Sequence, residues 1–373
     1  IPAWSTVASR VVIVAGFHRS GTSVVARLLH SAGLHLGDDL IGALPSNPYG
    51  HYEDREFVRL HDGILADNGV NWQLDRPLSL LITPERWADM EDLATKRSSH
   101  HDLWGFKDPR VCLLLDAWKH LLPEARVVAV YRNWSDATYS LERRHIEEMT
   151  AGINSDEVHE RFWTVPDLGL RMWVEYNRAL LRFAADHPDD VVVVPFDAFS
   201  RPGLGLVDSL NERWNLGLDA TQNAPPFDPA ATDSRPGPQP LADQRLADTL
   251  RDTWNRLEAL SHGATPSGDP DTGFYTPTEA DLVRMTHDRL VLENPALRRN
   301  LDQTHQDLEA TRQVVRQLQT EARERRAELE RARLAQGDLT WLVNRLALSP
   351  IGWLLRRWSA WRTMEDRWRT RPS

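Results

Sequence analysis

The stretch from Val11 to Leu29, VVIVAGFHRSGTSVVARLL, decides the fold of this chain. Its β-branched apolar run, Val11 to Val14, predicts a buried strand, and Val24 to Leu29 begin a helix. Between them lies a loop bounded by Gly16 and Gly21. In such a strand–loop–helix unit the loop N–H groups and the helix N-terminus converge, and glycines let the backbone approach an anion closely. The stretch therefore predicts a phosphate-binding turn.

The loop has the frame G-x-x-x-x-G-x-[ST] of a nucleotide-binding P-loop, with Gly16, Gly21 and Ser23 at the fixed positions. Thr22 occupies the position of the P-loop lysine, which reaches the β- and γ-phosphates of a nucleoside triphosphate. Arg19 lies inside the loop instead. These departures favour an anionic nucleotide that carries no triphosphate.

Residues 19–23, Arg-Ser-Gly-Thr-Ser, resemble the 5′-phosphosulfate loop of the sulfotransferases that use PAPS (3′-phosphoadenosine-5′-phosphosulfate). The form that begins with arginine is typical of protein-tyrosine and many bacterial members. The resemblance implies a sulfotransferase fold, an α/β structure whose P-loop-like parallel sheet is flanked by helices. It also implies PAPS as donor and adenosine 3′,5′-bisphosphate as product. The residues it assigns to donor binding here are Gly16, His18, Arg19, Ser20, Gly21, Thr22 and Ser23.

A second apolar run, Val127 to Tyr131, ends in Arg132, and Ser140 follows eight positions later (140 − 132 = 8). The 3′-phosphate motif of sulfotransferases has this form, an arginine at a strand end and a serine eight positions on in the next helix. A guanidinium presents a bidentate fork that matches a phosphate, and the serine hydroxyl adds a neutral donor. The resemblance therefore implies that Arg132 and Ser140 hold the 3′-phosphate, the group that distinguishes PAPS from ATP.

The segment Trp104 to Arg110, WGFKDPR, resembles the Lys-Asp-Pro segment beside the transferred sulfuryl group in bacterial and protein-tyrosine sulfotransferases. Its Lys107 is one of three lysines in a chain with 44 lysines and arginines. A lysine is needed where a compact ammonium must contact a single oxygen, as on a leaving phosphate. We therefore expect Lys107 and Arg19 in the catalytic site.

The general base is expected in the segment Asn47 to Asp54, which resembles a bacterial sulfotransferase pattern, Asn-x-x-Gly-x-aromatic-Glu. Sulfuryl transfer needs a group that takes the proton of the acceptor. Glu53 is the expected base, and His51 is the alternative because imidazole serves in cytosolic relatives. Glu53 and Asp54 could instead only favour the N-terminus of the helix predicted next. Weaker candidates are Asp38 and Asp39.

Length and composition fit an α/β enzyme domain with an appendage. The chain has 373 residues, and 41% are hydrophobic. Its formal net charge of −10 argues against a nucleic-acid partner. Cys112 is the single cysteine, which indicates a reducing compartment. It lies in an apolar run, so we expect it in the core. Since no metal-ligand spacing, secretory signal or membrane-length apolar run is visible, we expect no metal and a cytoplasmic protein.

Three strand-like runs alternate with helical patterns, and this alternation predicts a parallel sheet covered on both faces, with the donor at the carboxyl ends of the strands. The strand-like runs are 11–14, 127–131 and 191–195, and the clearest helical patterns are 24–32 and 171–185.

The predicted catalytic domain spans 9–262. It includes a loop rich in proline and aspartate at 222–240 and an amphipathic helix at 241–261 that closes the domain. A segment rich in glycine and proline, 263–277, is the predicted linker.

A seven-residue repeat characterises residues 278–336 and predicts a coiled coil through which the protein associates with itself. The repeating positions are Leu301, Leu308, Val315, Ala322 and Leu329, with Leu297 and Leu318 at alternate core positions. Thr304, Thr311 and Arg325 interrupt the apolar row. A long solvated helix packed on the catalytic domain is therefore the alternative.

The last segment, 338–373, combines five tryptophans with seven arginines. Leu354, Trp358, Trp361 and Trp368 share one helical face, and Pro350 to Gly352 interrupt the run, which predicts two short helices. Basic, tryptophan-rich amphipathic helices are typical of membrane interfaces. The segment therefore predicts either attachment to the inner face of a bacterial membrane or packing against protein.

The prediction for function is a sulfotransferase that moves a sulfuryl group from PAPS to a hydroxyl-bearing acceptor. A membrane-bound tail favours a carbohydrate or glycolipid of the bacterial envelope over a soluble phenol. Two alternatives stay open. One is a P-loop kinase or another nucleotide-dependent transferase, and the other is an inactive scaffold that organises a complex through its coiled coil and tail.

Overall fold

The computed structural model describes residues 9–42, 50–150, 161–162, 165, 167–200, 205–221, 238–261, 273–355, 357 and 359–369. Most of the predicted loop 222–240 and of the predicted linker 263–277 lies outside the described residues. The chain divides into two compact units, Ile1–Leu297 and Arg298–Ser373. The predicted boundaries at 262 and 278 stay predictions.

The first unit contains a four-stranded parallel sheet in the order β2-β1-β3-β4. Its strands are β1 Arg10–Ala15, β2 Leu103–Lys107, β3 Arg126–Tyr131 and β4 Val191–Pro195. In the register Val14 lies opposite Lys107, and Ala15 lies opposite Ala129. The predicted α/β class, with a parallel sheet flanked by helices, is confirmed.

Helices precede and follow the strands along the chain. In the first unit they are α1 Thr22–Ser31, α2 Arg55–Asp67, α3 Pro84–Ser98, α4 Leu115–Leu121, α5 Trp134–Thr150, α6 Leu168–Asp186, α7 Leu206–Trp214 and α8 Arg245–Leu260. Short 3₁₀ helices follow β2 and β4 at Pro109–Leu113 and Phe196–Ser200, and β5 Gln239–Pro240 pairs with β6 Phe274–Tyr275.

Both faces of the sheet are buried, which explains the uninterrupted apolar run of β1. Ile13 lies in one core cluster, which includes residues of α2 and α6. Val12 and Val14 lie in a second cluster with residues of α1 and α7. A strand covered on both faces cannot alternate apolar with polar residues. Complete burial of each such valine contributes roughly 1.5–3 kcal/mol.

The strand order places a topological switch point between β1 and β3. The chain leaves β1 toward β2 on one side, and β3 and β4 are added on the other side. In open parallel sheets a ligand binds at the carboxyl ends of the strands where the order reverses. The loops after β1 and β3 are therefore the expected walls of a site.

The second unit contains most of α9, Glu279–Ala347, and two short helices, α10 Pro350–Leu355 and α11 Ser359–Arg369. The long helix ends before Pro350, which opens the next helix as proline commonly does. Residues 303–342 are all exposed. Among the described residues, we find no helix whose length and apolar content would let it cross a membrane.

Candidate active site

The loop after β1 is shaped by its two glycines. A Cβ atom at Gly16 would lie 2.3 Å from the carbonyl oxygen of Val130, and one at Gly21 would lie 2.1 Å from the ring of Phe196. Gly21 also has a positive φ of 90° as it caps α1. Arg19 adopts the left-handed region, with φ 61°. The loop thus packs its backbone against β3 and against the turn after β4, and only glycine fits at these two positions.

Two guanidinium groups and a hydroxyl meet at the switch point. The Nε of Arg19 donates to Ser140 Oγ at 3.0 Å, across 121 residues of sequence. Arg132, which directly follows β3, donates from Nη1 to the carbonyl oxygen of Arg19 at 3.2 Å. Arg132 is 5% exposed, and its guanidinium lies 4.9 Å from the ring centroid of Phe196. This donor set, rich in N–H groups and positive charge, suits a phosphate.

Ser20 supplies a further donor inside the loop. Its side chain is fully buried, and within the described residues its Oγ has no hydrogen-bond partner. An unpaired buried hydroxyl costs roughly 1–3 kcal/mol, so such a group is normally satisfied by a ligand or water. The loop residues predicted to bind the donor therefore fit an anionic group.

Lys107 ends β2, beside the loop strand β1, and pairs with Glu53. Its Nζ lies 2.5 Å from Glu53 Oε1, and their side chains are 3% and 12% exposed. Asp54, not Glu53, caps α2, since its carboxylate accepts the N–H of Glu56 at 2.9 Å. The alternative that both acids only start a helix therefore holds for Asp54 alone. Glu53 is directed to the ammonium of Lys107.

The other acidic candidates belong to ion pairs away from Lys107. Arg97, 1% exposed, bonds Asp54 and Glu56 at 2.6 Å each and also pairs with Asp38. Asp39 pairs with Arg55 at 3.3 Å. The contacts of Arg97 join the segment before α2 to α3. Asp38 and Asp39 therefore have a structural role.

A histidine–aspartate group lies near the opposite end of β2 from Lys107. His35, Asp38 and His101 bring one possible metal-ligand atom each within 4.8 Å of one another, and the two imidazole rings stack at 3.6 Å. His101 comes just before β2, whereas Lys107 ends it. The expectation that catalysis needs no metal stays a prediction.

His51 is buried among cationic groups. Burial, and then the charges of Arg144, Lys107 and Arg19, lower the pKa of His51 from 6.5 to about 3. Its Nε2 has no hydrogen-bond partner in the part of the chain that the structure describes. An imidazole with so low a pKa holds a proton poorly near pH 7, which argues against His51 as the general base, since a base works best with a pKa near the working pH.

Acidification should destabilise the fold through His51. The unfolded chain takes up a proton near pH 6.5, whereas folded His51 takes it up only near pH 3, so stability falls as the pH drops between these values. At pH 5 this loss is about 2 kcal/mol. Between pH 7.5 and 5, we expect the free energy of unfolding measured in urea to fall by about 2 kcal/mol less in His51→Asn than in the wild type. The exposed His100→Asn should behave like the wild type, and equal losses in all three proteins would contradict the assignment.

The side chain of His18 lies in an aromatic group. Its ring centroid is 4.8 Å from that of Trp72 and 5.4 Å from that of Tyr176, and its Nε2 is 3.3 Å from the Tyr176 hydroxyl. Burial holds the pKa of His18 well below its usual range. The ring is therefore neutral, and a role for His18 in donor binding stays a prediction.

Two positioning residues were missed from the sequence, His61 and Trp118. Asp108, fully buried, accepts from His61 Nδ1 at 2.7 Å, while Trp118 Nε1 donates to His61 Nε2 at 2.9 Å. An indole can only donate, so the imidazole is neutral and protonated on Nδ1. Asp108 also accepts the N–H of Arg110 at 3.0 Å. This series of hydrogen bonds holds the turn that follows Lys107 in place.

At this turn, neighbouring groups keep the Asp108 carboxylate charged although it is buried. Although burial opposes it, the Arg110 guanidinium and the hydrogen bond from His61 hold the pKa of Asp108 below its usual range. Asp108 therefore stays a carboxylate. His61 lies four positions after Phe57 on the buried face of α2, and no local motif in the sequence distinguishes it from its apolar neighbours.

Cys112 is confirmed as a core residue. It is 2% exposed, and its Sγ accepts the N–H of Gly16 at 3.1 Å. Burial raises the pKa of the thiol, so it is not an activated nucleophile.

Three solved sulfotransferase structures are similar to this chain. One, from Mycobacterium tuberculosis, is 16% identical and has a TM-score of 0.32, with 68% of this chain and 77% of that chain covered. A sulfotransferase domain from the curacin biosynthetic pathway is 12% identical, with a TM-score of 0.34 and coverages of 72% and 99%. One from Mycobacterium avium is 13% identical, with a TM-score of 0.37 and coverages of 76% and 77%.

No family model and no curated protein matches the chain.

Proposed function

We propose that this protein is a PAPS-dependent sulfotransferase that acts on a hydroxyl-bearing acceptor. One observation carries the proposal: a phosphate-type donor set and a lysine–carboxylate pair lie at the carboxyl ends of three adjacent strands. Arg19 and Arg132 follow β1 and β3, and Lys107 ends β2 with Glu53 at 2.5 Å. The first set suits a nucleotide with phosphates at two positions, and the second suits proton transfer.

The roles divide between the two parts of the site. Arg132 and Ser140 would hold the 3′-phosphate, and Arg19 connects them to the loop through its hydrogen bonds to both residues. Residues 19–23, with the unpartnered hydroxyl of Ser20, would hold the 5′-phosphosulfate against the N-terminus of α1.

Bound PAPS would supply an activated sulfuryl group for in-line attack by the acceptor hydroxyl. Glu53 takes the hydroxyl proton as the acceptor oxygen–sulfur bond forms. The bond from sulfur to the oxygen of the 5′-phosphate breaks, and Lys107 stabilises the charge that develops on that oxygen. The products are a sulfate ester and adenosine 3′,5′-bisphosphate. His61 and Asp108 orient the turn beside Lys107 and take no part in the bond changes.

Titration calorimetry with adenosine 3′,5′-bisphosphate, AMP and ATP tests the proposal. We expect the bisphosphate to bind tightest. AMP should bind roughly 30- to 5,000-fold more weakly, since it lacks the charged partner of the buried Arg132, and losing one partner of a buried charge pair costs about 2–5 kcal/mol. Tighter binding of ATP would favour the kinase alternative, and no nucleotide binding would favour the scaffold.

We further propose that the tail, residues 338–373, attaches the enzyme to an anionic membrane surface, where envelope glycans or glycolipids would be its acceptors. Large apolar side chains are exposed along its helices and in the turn between the first two of them: Trp341 is 61% exposed, Leu348 87%, Ile351 61% and Leu354 63%. Arg345 lies 5.4 Å from the ring centroid of Trp341. Trp353, Trp358 and Trp368 have side chains outside the described residues. Exposed apolar residues among arginines support a site at a membrane surface.

Sedimentation with vesicles tests the tail. Each arginine near an anionic surface contributes about 1 kcal/mol, so we expect the full chain to pellet with anionic vesicles at low salt and to be released at high salt. A variant with Leu348→Ser, Ile351→Ser and Leu354→Ser keeps every arginine but should bind at least tenfold more weakly. Neutral vesicles are the control. If the wild type stays in the supernatant at low salt, the tail is not a membrane anchor.

A further inference from the structure

One row of side chains along α9, which we call the seam, is apolar and open to water. Its exposed members are Leu308 (45%), Val315 (45%), Leu318 (58%), Leu329 (69%) and Leu339 (50%). In heptad terms Leu308, Val315 and Leu329 occupy position a, and Leu318 and Leu339 occupy position d. Residues 303–342 are all exposed, so nothing in the described part of the chain covers the seam. An apolar row of this length needs a partner.

Charges of opposite sign flank the seam in a fixed pattern. The g positions, one before each a position, include Asp307, Glu321 and Glu328, and the e positions include Arg312, Arg326 and Arg333. Each acidic residue comes five positions before a basic one (307 + 5 = 312, 321 + 5 = 326, 328 + 5 = 333). In a parallel, in-register pair of helices, a g side chain lies beside the e side chain five positions later on the partner. These flanks are therefore complementary to those of an identical helix.

We propose that α9 pairs with α9 of a second copy as a parallel, in-register, two-stranded coiled coil. An antiparallel pair would bring g beside g and e beside e, which sets acidic against acidic and basic against basic residues. A shift of one heptad would place Asp307 beside Gln319 and Glu328 beside Thr340. Only Glu321, beside Arg333, would keep an opposite charge in that direction. The flanks thus select both orientation and register.

The polar seam positions fit two strands better than three or four. Thr304, Thr311 and Arg325 occupy d positions, and Gln336 occupies an a position. Between two helices the edges of the seam stay open, so these side chains can extend to water. In a larger bundle they would be enclosed, at the cost of an unpaired polar group. The seam therefore joins two copies, independently of what the first unit catalyses.

Disulfide trapping in the full chain tests orientation and register. Leu318→Cys places a thiol opposite its own copy only in a parallel, in-register pair, where the Cα separation suits a disulfide. Gln317→Cys, one position away from the seam, is the matched control, and the wild type reports on the native Cys112, which is 2% exposed. We expect Leu318→Cys to form a linked dimer under mild oxidation at least tenfold faster than either control. A wild type that sediments as a monomer, trimer or tetramer, or equal cross-linking rates, would overturn the proposal.

Charge reversal tests the flanks. A basic variant carries Glu321→Arg and Glu328→Arg, and an acidic variant carries Arg326→Glu and Arg333→Glu. We expect each alone to dissociate at least tenfold more readily than the wild type in sedimentation velocity, because like charges then face each other. An equimolar mixture should associate as tightly as the wild type, which shows that both variants still fold. Undiminished association of each variant alone, or no recovery on mixing, would contradict the assignment of the flanks.

Discussion

Glu53→Gln is expected to keep nucleotide binding and to lower turnover roughly 10²- to 10⁴-fold, the usual contribution of a general base. Glutamine has nearly the same shape and can still accept a hydrogen bond from Lys107, whose Nζ lies 2.5 Å from Glu53 Oε1. It cannot take the proton of the acceptor. The measurement is the initial rate of labelled sulfate transfer from PAPS, with nucleotide affinity determined on the same preparation by calorimetry.

Glu56→Gln is the matched control for this prediction. Glu56 lies three positions on, at the start of α2, where it pairs with Lys96 at 2.8 Å and with Arg97. The same substitution there should change turnover by no more than a few-fold. If Glu53→Gln transfers sulfate at a near-normal rate and His51→Ala does not, the base is His51. The low pKa of His51, about 3, makes that outcome unexpected.

The strands show which parts of the fold could be predicted from sequence. β1, β3 and β4 are predictable from sequence because each contains an uninterrupted apolar run that is rich in β-branched residues. β2 is not predicted as a strand, because its Leu-Trp-Gly-Phe-Lys sequence is short and contains a glycine. The reason for that glycine is tertiary: a Cβ at Gly105 would lie 1.9 Å from the carbonyl oxygen of Val12.

The candidate site also has a part that can be predicted from local sequence and a part that cannot. The loop around Arg19 follows from local spacing, because a strand, a loop and a helix N-terminus are consecutive in the chain. The pairing of Lys107 with Glu53 joins residues 54 positions apart, and that of His61 with Asp108 joins residues 47 apart. Sequence supplies the chemical types of such residues, but only the packing of α2 against β2 and the turn after it brings them together.

Arg132→Ala is expected to weaken binding of adenosine 3′,5′-bisphosphate by about 2–5 kcal/mol, or roughly 30- to 5,000-fold, the range for truncating one partner of a buried charge pair. The side chain is 5% exposed and donates to the Arg19 carbonyl, so alanine would remove a desolvated cation from the switch point. Arg126→Ala is the control on the same strand. Arg126 begins β3, at the other end from the site, and pairs with Asp190. Arg126→Ala should bind adenosine 3′,5′-bisphosphate with an affinity within a factor of about three of that of the wild type, a difference that calorimetry can resolve.

The affinity ratio between adenosine 3′,5′-bisphosphate and AMP separates recognition from a structural effect. If Arg132 binds the 3′-phosphate, the alanine variant loses affinity for the bisphosphate but little for AMP, which has no such group, so the ratio falls toward one. If Arg132 only supports the loop through the Arg19 carbonyl, both nucleotides weaken together and the ratio is preserved. Arg132→Lys should lie between the wild type and alanine, because an ammonium keeps the charge but lacks the bidentate fork. A preserved ratio in the alanine variant would mean that Arg132 does not bind the 3′-phosphate. The main support for PAPS as donor would then be lost.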